Sequence, residues 1–72
     1  MKDLSKMANS AWENAEPIFM IRAQDKAAIA GLTSYLNKCE ELDCSAQHLH
    51  EIRAILAMFE EYARTFDTKV PD

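Results

Sequence analysis

The stretch AIAGLTSYLNKCEELDCSAQHLHEIRAILAMFEEYARTF, residues 28–66, decides the fold. Ala28, Leu32, Tyr35, Cys39 and Leu42 recur in it at alternating spacings of three and four. Leu49, Ile52, Leu56, Phe59, Ala63 and Phe66 do the same further along. Such spacing gathers each series on one side of an α-helix, so each helix carries an apolar stripe that needs cover. Between them, Glu40-Glu41-Leu42-Asp43-Cys44-Ser45 is a polar break short enough to fold the helices back on each other. The fold class read from this is mainly all-α, an antiparallel helical hairpin over residues 26–42 and 45–66.

Asp25 is the expected cap of the first hairpin helix, and Ser45 of the second, with Asp43 as the alternative. Gly31 inside a helix costs ~1 kcal/mol relative to alanine. With Ala27, Ala28 and Ala30 it makes a smooth surface that another helix can approach, from the same chain or from a second copy. The second helix has a wide apolar face. Ile55 and Tyr62 flank its stripe, and Ala54, Ala57 and Met58 extend it. One partner helix cannot cover all of that.

Upstream, residues 3–16 read as a further helix capped by Asp3, with Leu4, Met7, Ala8, Ala11, Trp12 and Ala15 on one side. Pro17 disfavours helical geometry at Glu16 and ends it. Packing is the natural role for Trp12. Residues 17–22, PIFMIR, have no helical face, and Ile18-Phe19-Met20-Ile21 predicts an extended segment buried on both sides, in the manner of a short strand. Its backbone needs a partner. Thr68-Lys69-Val70 is one; the same segment in a neighbouring copy is the other, and the favoured one.

The 72-residue chain has room for one domain and is 49% hydrophobic, with one glycine and two prolines. That suits a small helical domain rather than disorder or a β-sandwich. A chain this short buries only ~60% of its unfolded surface and calls for a disulfide, a metal or another copy of itself. A homo-oligomer is the expectation. Its interface would draw on Ile18, Phe19, Met20, Ile21, Leu32, Tyr35, Ile55, Met58, Phe59 and Tyr62. No apolar run reaches the ~20 residues of a membrane span, and no signal peptide is visible at the N-terminus. The expected location is therefore cytoplasmic, with no membrane partner. The net charge of −4 argues against a nucleic-acid polymer as partner. Two helices around a turn superficially suggest helix-turn-helix, but Arg53 is the sole strong phosphate partner between Ala46 and Met58.

Cys39, Cys44, His48 and His50 cluster around the turn. Zinc would need tetrahedral convergence, yet His48 and His50 are two apart and point to nearly opposite sides of a helix. Cys39 is accounted for as a small buried hydrophobe, and a Cys39–Cys44 disulfide is not the expectation for a cytosolic chain. Cysteine catalysis would need a reactive thiol beside a base in a cleft, which a hairpin does not supply. The pairs Glu40-Glu41 and Glu60-Glu61 lack the Glu-x-x-His arrangement of di-metal bundles. No cofactor, metal or catalytic residue is assigned, and the chain reads as non-enzymatic.

Arg22, Gln24, Asp25 and Lys26 stand where the apolar segment meets a helix N-terminus, a place whose free N–H groups attract anions. The plain alternative is that Asp25 caps and Arg22 pairs with Asp25 or Glu16. Arg53 and Arg64, eleven apart, can add charge from one side of the last helix or form ordinary surface ion pairs.

PIFMIRAQD at residues 17–25, the alanine-rich helix, the second amphipathic helix and the closing Val70-Pro71-Asp72 together resemble a widespread group of small bacteriophage and prophage proteins. The resemblance spans residues 16–72 and leaves the Trp12 helix outside it. It implies a phage accessory protein acting by binding in the host cytoplasm, against a defence or replication protein or a nucleotide signal. It assigns no residue a catalytic role. Two binding mechanisms follow as expectations. Arg22, Lys26, Arg53 and Arg64 from several copies could surround an anionic small molecule such as a cyclic nucleotide, with Phe19, Tyr35 or Tyr62 stacking on its base. Otherwise the acidic helical surface docks on a host protein.

Overall fold

The computed structural model describes residues 4–71. Three helices follow in order: α1 (Leu4–Glu13), α2 (Ala28–Glu41) and α3 (Ala46–Thr65). There is no strand among the described residues. α2 and α3 pack as the expected hairpin, and α1 packs against neither.

Local chemistry sets each boundary. α1 stops at Glu13 rather than Glu16. Glu16 N–H donates to Ala11 C=O (2.8 Å) and Ala15 N–H to Trp12 C=O (3.2 Å), while Ala15 takes a left-handed φ of 53°. This pattern is a Schellman close, and Pro17 follows it because proline cannot extend a helix. Asp3, the expected cap, lies outside the described residues. α2 begins at Ala28, two residues later than expected. The Asp25 carboxylate accepts from Ala27 N–H (2.7 Å) and its C=O accepts from Ala28 N–H (3.0 Å). Asp25 therefore closes a turn just before the helix, and Ala27 at the cap position has no side-chain cap.

α2 ends in a second Schellman close. Cys44 N–H donates to Cys39 C=O (3.0 Å) and Asp43 N–H to Glu40 C=O (3.1 Å), with Asp43 at φ 61°. Asp43 is thus the left-handed closing residue of α2 and not the cap of α3. Ser45 caps α3 by accepting from His48 N–H at 3.2 Å.

The shared core is thin. Ala28, Leu36 and Cys39 are buried on α2, while no residue of α3 is fully buried. Leu36 replaces Tyr35 and Leu42 in the expected stripe: Leu36 is 8% exposed and Tyr35 48%. The positions 28, 32, 36 and 39 average close to 3.6 residues per turn, the repeat of a straight helix. The positions 28, 32, 35, 39 and 42 follow the 3.5 repeat of a supercoil, which two short helices do not form.

PIFMIR departs most from expectation. It is non-helical, but Ile18, Phe19 (84%) and Met20 (77%) are exposed. Only Ile21 is half-buried, its Cδ1 facing Gly31, where an added methyl would meet it at 3.6 Å. Trp12, expected in packing, is 87% exposed. With α1 standing apart, no third layer among the described residues covers either. The tail does pair with the segment ahead of α2, but beyond PIFMIR. Lys26 N–H donates to Lys69 C=O and Lys69 N–H to Gln24 C=O, both at 2.8 Å, giving an isolated parallel bridge between Asp25 and Lys69. Among the described residues, no backbone hydrogen bond engages Ile18–Ile21.

The chain exposes 5917 Å², against about 4,500 Å² for a compact monomer of its mass. Its radius of gyration is 13.4 Å, against about 11 Å for a compact chain of this length.

Candidate functional site

The bridge between the pre-α2 segment and the tail forms one wall of a cleft of about 240 Å³ lined by Met20, Arg22, Gln24, Asp25, Lys69 and Pro71. The turn ahead of α2 presents Arg22 to it, because the Arg22 C=O is held by Asp25 N–H (3.0 Å). The same two backbone bonds that tie Lys69 to Gln24 and Lys26 fix the opposite wall. Arg22 and Lys69 thus both line one space, with the Asp25 carboxylate already engaged by Ala27 N–H. Arg22 forms no ion pair among the described residues, so the alternative pairing with Asp25 or Glu16 is not realised. A cleft with an arginine and a lysine among its lining residues suits a phosphate-sized anionic group.

The other candidates are dispersed. Lys26 contributes its backbone N–H to the bridge, and its side chain does not line the cleft. Arg53 pairs across the hairpin with Glu40 at 3.6 Å. Arg64 pairs with Glu61 one turn back at 2.6 Å, and Tyr62 stacks on Phe66 with ring centroids 4.8 Å apart. Phe19 is exposed next to the cleft residue Met20. Of the expected interface residues, Ile18, Phe19, Met20, Tyr35 and Met58 are exposed. Ile21, Leu32, Ile55, Phe59 and Tyr62 are half-buried. Sequence reasoning overlooked Lys69. Its signal was present, since the tail was a named pairing partner and brings its own cation.

A second constellation lies at the hairpin corner. Tyr35 Oη is 3.0 Å from His48 Nε2, with the rings edge to face at 6.0 Å, so the phenol ties α2 to α3. The hydrogen bond between Tyr35 and the Cys39 side chain, then partial burial, then the thiolate charges of Cys39 and Cys44 push the phenol above its ordinary pKa. Neither cysteine is in a disulfide, and Cys39 is buried and Cys44 half-buried. Among the described residues, no group of three or more His, Cys, Asp or Glu side chains is arranged to hold a metal ion. No helix among them is long and apolar enough to cross a membrane. No protein-family model, curated protein or solved structure matches this chain.

Proposed function

We propose that this chain is a non-enzymatic binding module that self-associates through its exposed apolar segment and uses the Arg22–Lys69 cleft to hold an anionic small molecule. A cyclic nucleotide is the candidate ligand. The reading extends to a phage accessory protein that sequesters a host defence signal, and that extension rests on the sequence resemblance alone.

The observation that carries self-association is the surface excess. The chain exposes roughly 1,400 Å² more than a compact monomer of its mass, and a standard interface covers ~800 Å² per partner. Ile18, Phe19 and Met20 supply apolar side chains together with a backbone free to pair. The cleft supports the same geometry, because 240 Å³ falls short of the ~300–1,000 Å³ of usual small-molecule pockets. One copy can take a phosphate group, while a nucleotide needs walls from a second copy. Met20 belongs to both the apolar segment and the cleft, so an interface formed there would deepen the cleft. The test is sedimentation velocity with calorimetric titration of a cyclic-nucleotide panel. A dimer or larger assembly that releases heat with a cyclic nucleotide, both lost in Phe19→Ser/Met20→Ser, supports the reading. A stable monomer with no heat overturns it.

The second reading, docking onto a host protein without a small molecule, is favoured by Trp12. This large side chain stands exposed on a helix that packs against no other, as interface anchors do. An assembly that ignores nucleotides but loses capture of a host protein on Trp12→Ala would favour it.

A further inference from the structure

We infer that Cys39 and Cys44 form a two-thiol modification site that a peroxide closes to an intramolecular disulfide. The Schellman close of α2 is the basis. It places Cys39 third from the helix end and Cys44 two residues past the cap, the two positions whose side chains this motif brings together. The bond from Cys44 N–H to Cys39 C=O is 3.0 Å, and the left-handed Asp43 makes the reversal between them. A disulfide asks for Cα atoms 4.4–6.8 Å apart, and a main-chain hydrogen bond between the same two residues keeps them at about that separation. The chain has no other cysteine.

The two thiols differ in access, which orders the chemistry. Cys44 is half-buried and meets the oxidant first; Cys39 is buried and resolves. Cys44 thiolate attacks one oxygen of hydrogen peroxide, the O–O bond breaks, and sulfenic acid and hydroxide result. Cys39 sulfur then attacks the Cys44 sulfur, the S–S bond forms, and the sulfenic oxygen leaves as hydroxide, which becomes water. Cys39 must shed its proton in this step. Tyr35 stands beside Cys39, so its phenol can donate to the Cys39 sulfur as that sulfur attacks, while the Cys39 proton joins the departing hydroxide. In sum, two thiols and one peroxide yield a disulfide and two waters.

The test exposes the folded chain to hydrogen peroxide, blocks remaining thiols with iodoacetamide and digests with trypsin. Cleavage after Lys38 and Arg53 leaves both cysteines in one peptide. The expected product is that peptide short of two hydrogens and unalkylated, restored to two alkylated cysteines by dithiothreitol. Closure should run roughly tenfold faster than in guanidinium-unfolded chain, because the turn holds the thiols together. Tyr35→Phe should slow closure several-fold while dimedone labelling of Cys44 sulfenic acid persists. Chains cross-linked to each other, oxygen retained on Cys44 with Cys39 still alkylatable, or equal rates folded and unfolded would each overturn the proposal.

Discussion

Asp43 and Ala15 hold left-handed backbone at φ 61° and 53°, where a side chain with a Cβ costs roughly 1–2 kcal/mol and glycine costs little. Asp43→Gly should therefore raise the stability of the hairpin by about 0.5–1 kcal/mol, read as a higher denaturant midpoint at unchanged slope. Ala15→Gly acts on a helix that packs against neither neighbour. Its gain should appear as helical circular dichroism without a matching shift in the main unfolding transition. Gly31 runs the other way. An alanine methyl there meets Ile21 at ordinary van der Waals distance, so helix propensity wins and Gly31→Ala should stabilise by about 0.5–1 kcal/mol. These left-handed positions were not legible beforehand. Helix ends announce themselves by glycine, and here alanine and aspartate do that work unsignalled.

At the scale of elements, the α2–α3 pairing leans on one large buried side chain. Leu36→Ala should cost about 2–5 kcal/mol, while Leu42→Ala, exposed at the end of α2, should stay within about 0.5 kcal/mol; urea melts of both variants separate the two repeats. Tyr35 adds a pH-dependent contribution. The folded chain holds the phenol proton more tightly than the unfolded chain does, so this contribution is complete below about pH 10 and declines as pH climbs through the raised folded-state value. The advantage of wild type over Tyr35→Phe should shrink across that range in alkaline melts. Periodicity revealed all three helices and Ser45 the start of α3, whereas Pro17 set the end of α1 three residues too late. Periodicity misjudged which side chain fills the middle of the interface, because alternating threes and fours fit two repeats that diverge only after several turns. PIFMIR was legible as non-helical, but its burial was not. An apolar run tells that cover is wanted, not that the same chain provides it.

For the molecule as a whole, the cleft joins residues from distant parts of the chain, and only half of it was readable. Arg22 stood out beside a helix N-terminus, whereas Lys69 enters through a bridge whose register depends on how the hairpin returns the tail. Arg22→Ala should weaken binding of inorganic phosphate or a cyclic nucleotide by about 10-fold or more, given ~1.5–3 kcal/mol for a charged hydrogen bond, in calorimetric titration. Arg53→Ala and Arg64→Ala, already engaged with Glu40 and Glu61, should leave affinity unchanged.

The parallel sense of the Asp25–Lys69 bridge also has a mechanical consequence. Tension applied through Pro17 and Pro71 would pull the two paired segments past each other in shear, loading both of their hydrogen bonds at once. The bridge is then the link that yields first, and the hairpin feels force only after it has opened.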